Sequence, residues 1–188
     1  KSMSRYIHLK GFLPEELIKY CEELCEKMVH HDSKVGNTVQ RDKKRRKDVF
    51  LNAGQCARID EFFFSKRDYF EQEFGVKIAY RETYKIGIYD SGDKGFYNPH
   101  TDTQGGMTHR KLSLVICLSS SSDYTGGVLK FVDLGESFKF DRGDAVIFDP
   151  NLMHGVEPVE SGNRKVLISF MWDESSERDR AIRTRNSN

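Results

Sequence analysis

The sequence predicts a mainly β fold with supporting helices: two antiparallel sheets stacked as a sandwich or jelly roll, with N-terminal helices packed on one sheet. Three observations predict it. Apolar residues recur at helical spacing only before about residue 75, and beyond it the pattern alternates with period two. The alternating segments are short, rich in β-branched and aromatic residues, and separated at close intervals by Gly, Asp and Ser turn clusters. The 188 residues are 37% hydrophobic and include 13 Phe, 8 Tyr and 1 Trp, enough to bury a core and exclude wholesale disorder. No repeat or linker divides the chain. One domain is expected over 1–188, with helical support over about 1–75, a β core over about 76–174 and a polar tail over 175–188.

Each element has its own signal. Residues 6–13 read as an extended segment closing on Pro14. Pro14-Glu15-Glu16 opens a helix, with Pro tolerated in the first turn and acids favoured at the positive end. Leu17, Cys21, Leu24 and Met28 mark its buried face, and His30-His31 its solvated end. Residues 32–48 are polar, carry the run Arg41-Asp42-Lys43-Lys44-Arg45-Arg46-Lys47, and read as a mobile loop. A second helix is expected over 55–74, with Ile59, Phe63, Phe70 and Phe74 on one side and Gly75 as its stop. Strands follow over 77–89, 111–118, 128–132, 137–140, 145–148 and 165–172, with Ser161-Gly162-Asn163 among the turns. The Arg-rich end from 174 reads as a frayed tail.

Composition narrows the function classes. Thirty Lys+Arg against 29 Asp+Glu leave a net charge of +1, without the excess of a general polyanion binder. No apolar run is long enough to span a membrane, and polar sequence follows Met3 with no apolar leader. Lys1-Ser2 is set aside from the reading. Cys21, Cys25, Cys56 and Cys117 lack a disulfide or zinc spacing and read as small buried apolar residues. An intracellular, cytoplasmic protein is expected.

The chemistry concentrates around His100. Residues i and i+2 of a strand share a face, so His100 and Asp102 can converge while Thr101 turns away. A third ligand must come from a distant strand, and His154 is the candidate. Two His and one carboxylate on one face of an octahedron leave open positions and favour non-haem iron(II). A His-x-Asp pair alone is a loose signal, but Arg164 lies ten residues after His154. A planar guanidinium there can hold one carboxylate of a dicarboxylate co-substrate whose other end chelates the metal.

Taken together, Tyr84-Lys85-Ile86-Gly87-Ile88-Tyr89-Asp90, Asn98-Pro99-His100-Thr101-Asp102, Gly126-Gly127-Val128-Leu129-Lys130-Phe131, the 141–148 segment and His154…Pro158-Val159…Gly162-Asn163-Arg164 resemble the iron(II)/2-oxoglutarate-dependent dioxygenases, closest in the prolyl-4-hydroxylase-like branch. The likeness covers about residues 76–174. It implies a double-stranded β-helix core, iron ligands His100, Asp102 and His154, and Arg164 on the distal carboxylate of 2-oxoglutarate. Tyr89 resembles the tyrosine that hydrogen-bonds the co-substrate, with an ordinary half-buried aromatic as the alternative. A second such tyrosine falls near Cys117 here and is missing, and Val166 stands where small hydroxyl residues are common. His109 and Arg110 are candidates for the entrance.

The implied activity is hydroxylation of a C–H bond, on a prolyl or other side chain of a polypeptide. It couples to conversion of 2-oxoglutarate and O2 to succinate and CO2, and ascorbate is the possible reductant. Asp102 favours hydroxylation, because halogenating relatives lack this carboxylate. A nucleic-acid or small-molecule oxygenase and a non-catalytic β-sandwich binding module are the alternatives. Only the 41–47 run favours nucleic acid, and Phe170 stands where the dealkylating branch has a second arginine.

Overall fold

The computed structural model describes residues 3–186. In chain order the elements are β1 (Tyr6–Leu9), α1 (Glu15–Lys27), β2 (His31–Asp32), β3 (Lys44–Arg45), β4 (Lys47–Phe50), α2 (Ala53–Phe64), α3 (Arg67–Phe74), β5 (Tyr80–Arg81) and β6 (Lys85–Asp90). They continue with β7 (Phe96–His100), β8 (Leu112–Cys117), β9 (Tyr124–Gly126), β10 (Leu129–Phe131), β11 (Glu136–Phe138), β12 (Ala145–Phe148), β13 (His154–Val156), β14 (Val159–Trp172) and α4 (Glu174–Asn186). Two antiparallel sheets face each other. The larger runs β1-β12-β8-β14-β6-β4-β2, with β5 and β9 also on β14, and the smaller runs β11-β10-β13-β7-β3. This is the double-stranded β-helix, mainly β with helical support.

Strand periodicity divides the large sheet between two cores. Outward residues Ile86, Leu114, Ile116, Ile147 and Leu167 pack with Leu17, Cys21, Leu24, Ile59, Phe63 and Phe70 of the three N-terminal helices. Their neighbours Tyr89, Val146, Phe148, Val166, Ile168 and Phe170 point the other way, toward Leu129, Phe131 and Val156 of the small sheet. All four cysteines are buried free thiols. Among the described residues no helix is long and apolar enough to cross a membrane.

Five expectations change. The helix expected over 55–74 is two. The Ser65 hydroxyl and the Ser65 and Lys66 amides bond back to Phe62 and Phe63 carbonyls, which ends α2 before α3 starts. Gly75 closes α3 in the left-handed region, as expected. The N-terminal part also supplies strands, since β1 pairs β12 and β4 pairs β6. Residues 32–48 are no free loop: β3 joins the small sheet through Lys44↔Tyr97, β4 joins the large sheet through Asp48↔Gly87, and the chain crosses between sheets at Arg46. Ser161-Gly162-Asn163 lies within β14, where the register shifts against β9. Gly162 has φ +70°, and a Cβ there would lie 2.0 Å from the Asp123 carbonyl oxygen, so this irregularity needs glycine. Finally, the tail forms α4, started by Asp173 accepting from the Ser176 amide at 2.8 Å and tied back by Trp172 Nε1 donating to Glu177 at 2.7 Å. Residues 1–2 and 187–188, named in the sequence reading, lie outside the described residues.

Candidate metal centre and cavity

β13 pairs β7 with His154 opposite His100, which brings residues fifty-four apart in sequence side by side at the mouth between the sheets. Asp102 joins them differently from the i, i+2 expectation. His100 ends β7, and Asp102 sits in the following turn, where its amide donates to the Pro150 carbonyl at 2.9 Å. The three side chains each offer a ligand atom, all within 4.8 Å of one another. Asp102 Oδ1 lies 3.2 Å from His100 Nε2 and 3.5 Å from His154 Nε2.

The donor set fits a metal ion. His100 Nδ1 is 2.9 Å from the Asn98 carbonyl and His154 Nδ1 is 2.9 Å from the Leu152 carbonyl. A carbonyl only accepts, so Nδ1 carries the proton in each ring and Nε2 turns its lone pair inward. Ser113 Oγ donates to Asp102 Oδ2 at 2.7 Å, leaving Oδ1 to face the two imidazoles. Three electron-pair donors therefore converge in a buried place, and a positive charge belongs between them. Burial by itself drives the Asp102 carboxyl up, but positive charge on the side of His154 and His100, with the Ser113 hydrogen bond, outweighs it and holds it well below the usual carboxylate range. Burial pushes the His154 imidazole down, against the pull of Asp102.

The rings are fixed by packing. Tyr97 stacks on His100 at 3.6 Å between centroids, and Phe148 meets His154 edge-on at 4.7 Å. Arg110 supports the turn from below: it donates to the Asp102 carbonyl at 3.1 Å, forks onto Glu82 at 2.7 and 2.9 Å, and lies 3.6 Å from the Phe170 ring centre. Of the pair expected at the entrance, Arg110 lines the cavity. His109 instead packs edge-on against Trp172, and burial together with Arg110 pushes its imidazole down to about 4.

The centre opens into a cavity of about 430 Å³ that His100, Asp102, His154, Arg164 and Tyr89 all line. Arg164 is 4% exposed, sits opposite Tyr89 in the β14–β6 register, and has no carboxylate partner among the described residues. Its guanidinium lies 5.2 Å from the Tyr89 ring centre. Val115, Leu129, Val156, Val166, Ile168 and Phe170 supply apolar walls.

Sequence reasoning missed the wall made by 44–48. Arg46 Nε lies 2.6 Å from Asp48 Oδ1, both side chains being almost fully buried, and Arg46 Nη1 donates to the Tyr89 hydroxyl at 3.4 Å. Lys44 is buried over the Tyr97 ring. The signal was an alternation in burial of Lys44, Arg46 and Asp48 against Arg45 and Lys47, hidden because all five residues are charged. Tyr124 was also missed. It faces Arg164, which opposes the upward push of burial on its hydroxyl.

Comparison with known proteins agrees with this geometry. Residues 84–172 match the 2OG-Fe(II) oxygenase superfamily. The PKHD-type hydroxylase of Azoarcus sp. (strain BH72) is 33% identical over 89 residues, covering 43% of this chain and 39% of that protein. The chain thus spans about two-fifths of the length of that relative. Among solved structures, a Pseudomonas putida prolyl-4-hydroxylase superposes with a TM-score of 0.73 at 20% identity, covering 90% of this chain and 93% of that one. A Trichoplax adhaerens prolyl hydroxylase in complex with a peptide fragment gives 0.71 at 16% identity, covering 92% and 85%. A superfamily match over residues 84–172 and a double-stranded β-helix shared with solved prolyl-4-hydroxylases define the class of fold.

Proposed function

We propose that the protein is an iron(II)- and 2-oxoglutarate-dependent hydroxylase acting on a prolyl or other side chain of a polypeptide. The observation that carries the reading is the meeting, in one cavity, of a His-Asp-His set with inward lone pairs and a buried guanidinium without a carboxylate partner. In this reading His100, Asp102 and His154 hold the iron, and Arg164 holds the distal carboxylate of 2-oxoglutarate, with Tyr89 beside it. Iron(II) with 2-oxoglutarate and O2 supplies the oxidising power: the substrate C–H becomes C–OH while the co-substrate becomes succinate and CO2.

The chain's own residues do the rest. The Asn98 and Leu152 carbonyls fix the imidazole tautomers, and Ser113 and Arg110 hold the carboxylate turn. Val115, Leu129, Val156, Val166, Ile168 and Phe170 give the centre one apolar wall against which a C–H bond can be presented. A polypeptide substrate is favoured by the Trichoplax structure, which holds a peptide. The basic run is weakened as a nucleic-acid patch, since Lys44 and Arg46 are buried in the cavity wall.

The test is succinate release from 2-oxoglutarate by the iron-loaded protein across proline-containing peptides. Release should depend on iron, and Arg164→Ala should raise the half-saturating 2-oxoglutarate concentration by about 100-fold or more, the loss expected for a charged hydrogen-bonding partner. Wild-type protein that releases no succinate with iron and any such peptide would sink the reading. An unchanged co-substrate requirement in the variant would move the carboxylate partner away from Arg164.

A further inference from the structure

Six cationic side chains line the cavity (Lys34, Lys44, Arg46, Lys85, Arg110 and Arg164) against one acid, Asp102, which the metal centre already uses. Pairing them off leaves a remainder. Arg110 is matched by Glu82 and Arg46 by Asp48. Arg164 is assigned to the co-substrate in the reading above, and Lys34 is exposed at the rim. Lys44 and Lys85 are left.

Lys44 is 5% exposed, yet its side-chain nitrogen donates only to the Lys34 carbonyl at 3.1 Å and keeps donor capacity unused. Lys85 is half-buried and has no ion-pair partner among the described residues. The Lys44 amine feels Arg46, Lys85, Asp48 and Asp102, the Lys85 amine feels Arg46, Asp48, Glu82 and Arg110, and Arg164 is not among the main charges on either. Backbone register explains the separation. Lys85 lies opposite Ile168, four residues along β6 from the Tyr89–Arg164 pair, roughly 13 Å in an extended strand. One five-carbon diacid anchored at Arg164 and on the metal centre does not also serve the lysines. They sit on the substrate's side: Lys44 lies 4.5 Å from the centre of the Tyr97 ring, the ring that stacks on His100.

We propose that Lys44 and Lys85 form a carboxylate-binding subsite, so that the enzyme selects substrates bearing an acidic group beside the C–H bond presented to the metal centre. The proposal rests on the hydroxylase reading and names its substrate class. Burial and the neighbouring cations Arg46 and Lys85 push the Lys44 amine down to about 6, and an arriving carboxylate is what returns its proton. A neutral substrate leaves two desolvated amines on one cavity wall without a partner, whereas a carboxylate satisfies both.

The experiment uses two matched pairs of probes on the protein loaded with manganese(II) and 2-oxoglutarate without oxygen. The pairs are acetyl-Pro-Glu-amide with acetyl-Pro-Gln-amide, and N-acetylglutamate with N-acetylglutamine. Binding is read by calorimetry. In at least one pair the acid should bind tenfold or more tighter than its amide, and the pair that shows it separates a peptide side chain from a small free acid as the source. Lys44→Met and Lys85→Met should each erase most of that preference, and Lys44→Arg should keep it. Lys85 is the more exposed position, so its variant serves if Lys44→Met does not fold. Equal binding of acid and amide in both pairs, no binding of either, or a preference that survives both methionine variants overturns the proposal. Manganese binding by wild-type protein, read in the same samples by electron spin resonance, tests the metal centre separately. Its failure would sink the hydroxylase reading.

Discussion

Arg46 and Asp48 meet where the chain crosses from one sheet to the other, their side chains only 4% and 3% exposed and joined by bonds of 2.6 and 3.2 Å. Ser33 completes the carboxylate with a 2.6 Å hydrogen bond. Two desolvated charges in this position are stable only together, and removing one partner of a buried pair costs about 3–5 kcal/mol. Asp48→Asn should therefore destabilise the protein by about that amount at neutral pH. Burial alone drives the Asp48 carboxyl up, but Arg46, Lys85 and Ser33 outweigh it and hold it at about 2, below the roughly 4 of an unfolded chain. A depressed acid stabilises the fold above its unfolded value and loses that contribution as pH falls through its folded one. The gap between wild-type and variant unfolding free energies, read by urea titration, should stay constant down to about pH 4 and narrow as pH falls further toward 2. A gap independent of pH over that interval would show that Asp48 is not held as a charge.

Gly87 lets β6 and β4 carry this pair. A Cβ on it would lie 2.8 Å from Arg46 Cδ, 2.9 Å from Arg46 Nε and 3.2 Å from Ile168 Cδ1. Arg46 is pinned by Asp48 and cannot swing aside cheaply. Gly87→Ala should cost about 1–3 kcal/mol by overpacking. Gly54→Ala is the control: it meets only Asn52 Oδ1 at 3.7 Å on α2 and should hold or raise stability by up to about 1 kcal/mol. Equal unfolding midpoints for the two variants would remove the cradle argument. At this scale legibility followed hydrophobic contrast. The face of α1 was readable because apolar residues recur at helical period, and the strand at 145–148 because Ala145-Val146-Ile147-Phe148 is an unbroken apolar run. The segment crossing between sheets alternates only among charges, so its inward residues gave no contrast. The long strand β14 was cut short in the reading because Ser161-Gly162-Asn163 has turn chemistry, although Gly162 serves an irregularity inside the strand. The helix α4 has a polar sequence that forms no stripe, and contacts such as Arg183 with Thr108 and Glu177 with Trp172 hold it instead.

Across the whole molecule, a net charge of +1 conceals a cavity wall with six cations, because composition averages over the exposed acids that balance them. The residues of the proposed centre were legible for the opposite reason: a His-x-Asp, a distant His and an Arg ten residues on are rare types whose spacing survives without knowledge of the fold. What spacing could not convey is that the chain builds the centre against its own electrostatics, with His100, Asp102 and His154 turning three electron-pair donors on one another while burial denies them water. A cation that binds there stabilises the folded state alone, by about 2.7 kcal/mol at a hundredfold excess over its dissociation constant. For a chain of this size each kcal/mol moves the melting temperature by roughly 2–4 °C, so saturating manganese(II) should raise it by about 5–10 °C over a chelator-treated sample. Magnesium, which prefers all-oxygen octahedra, should give far less of that rise at equal concentration. His100→Ala should bring the manganese and chelator curves together, because it removes one of only three donors and leaves the rest of the sheet intact. Coincident curves for the wild-type protein would mean that the three donors share a proton rather than a metal, and the proposed centre would fall with them.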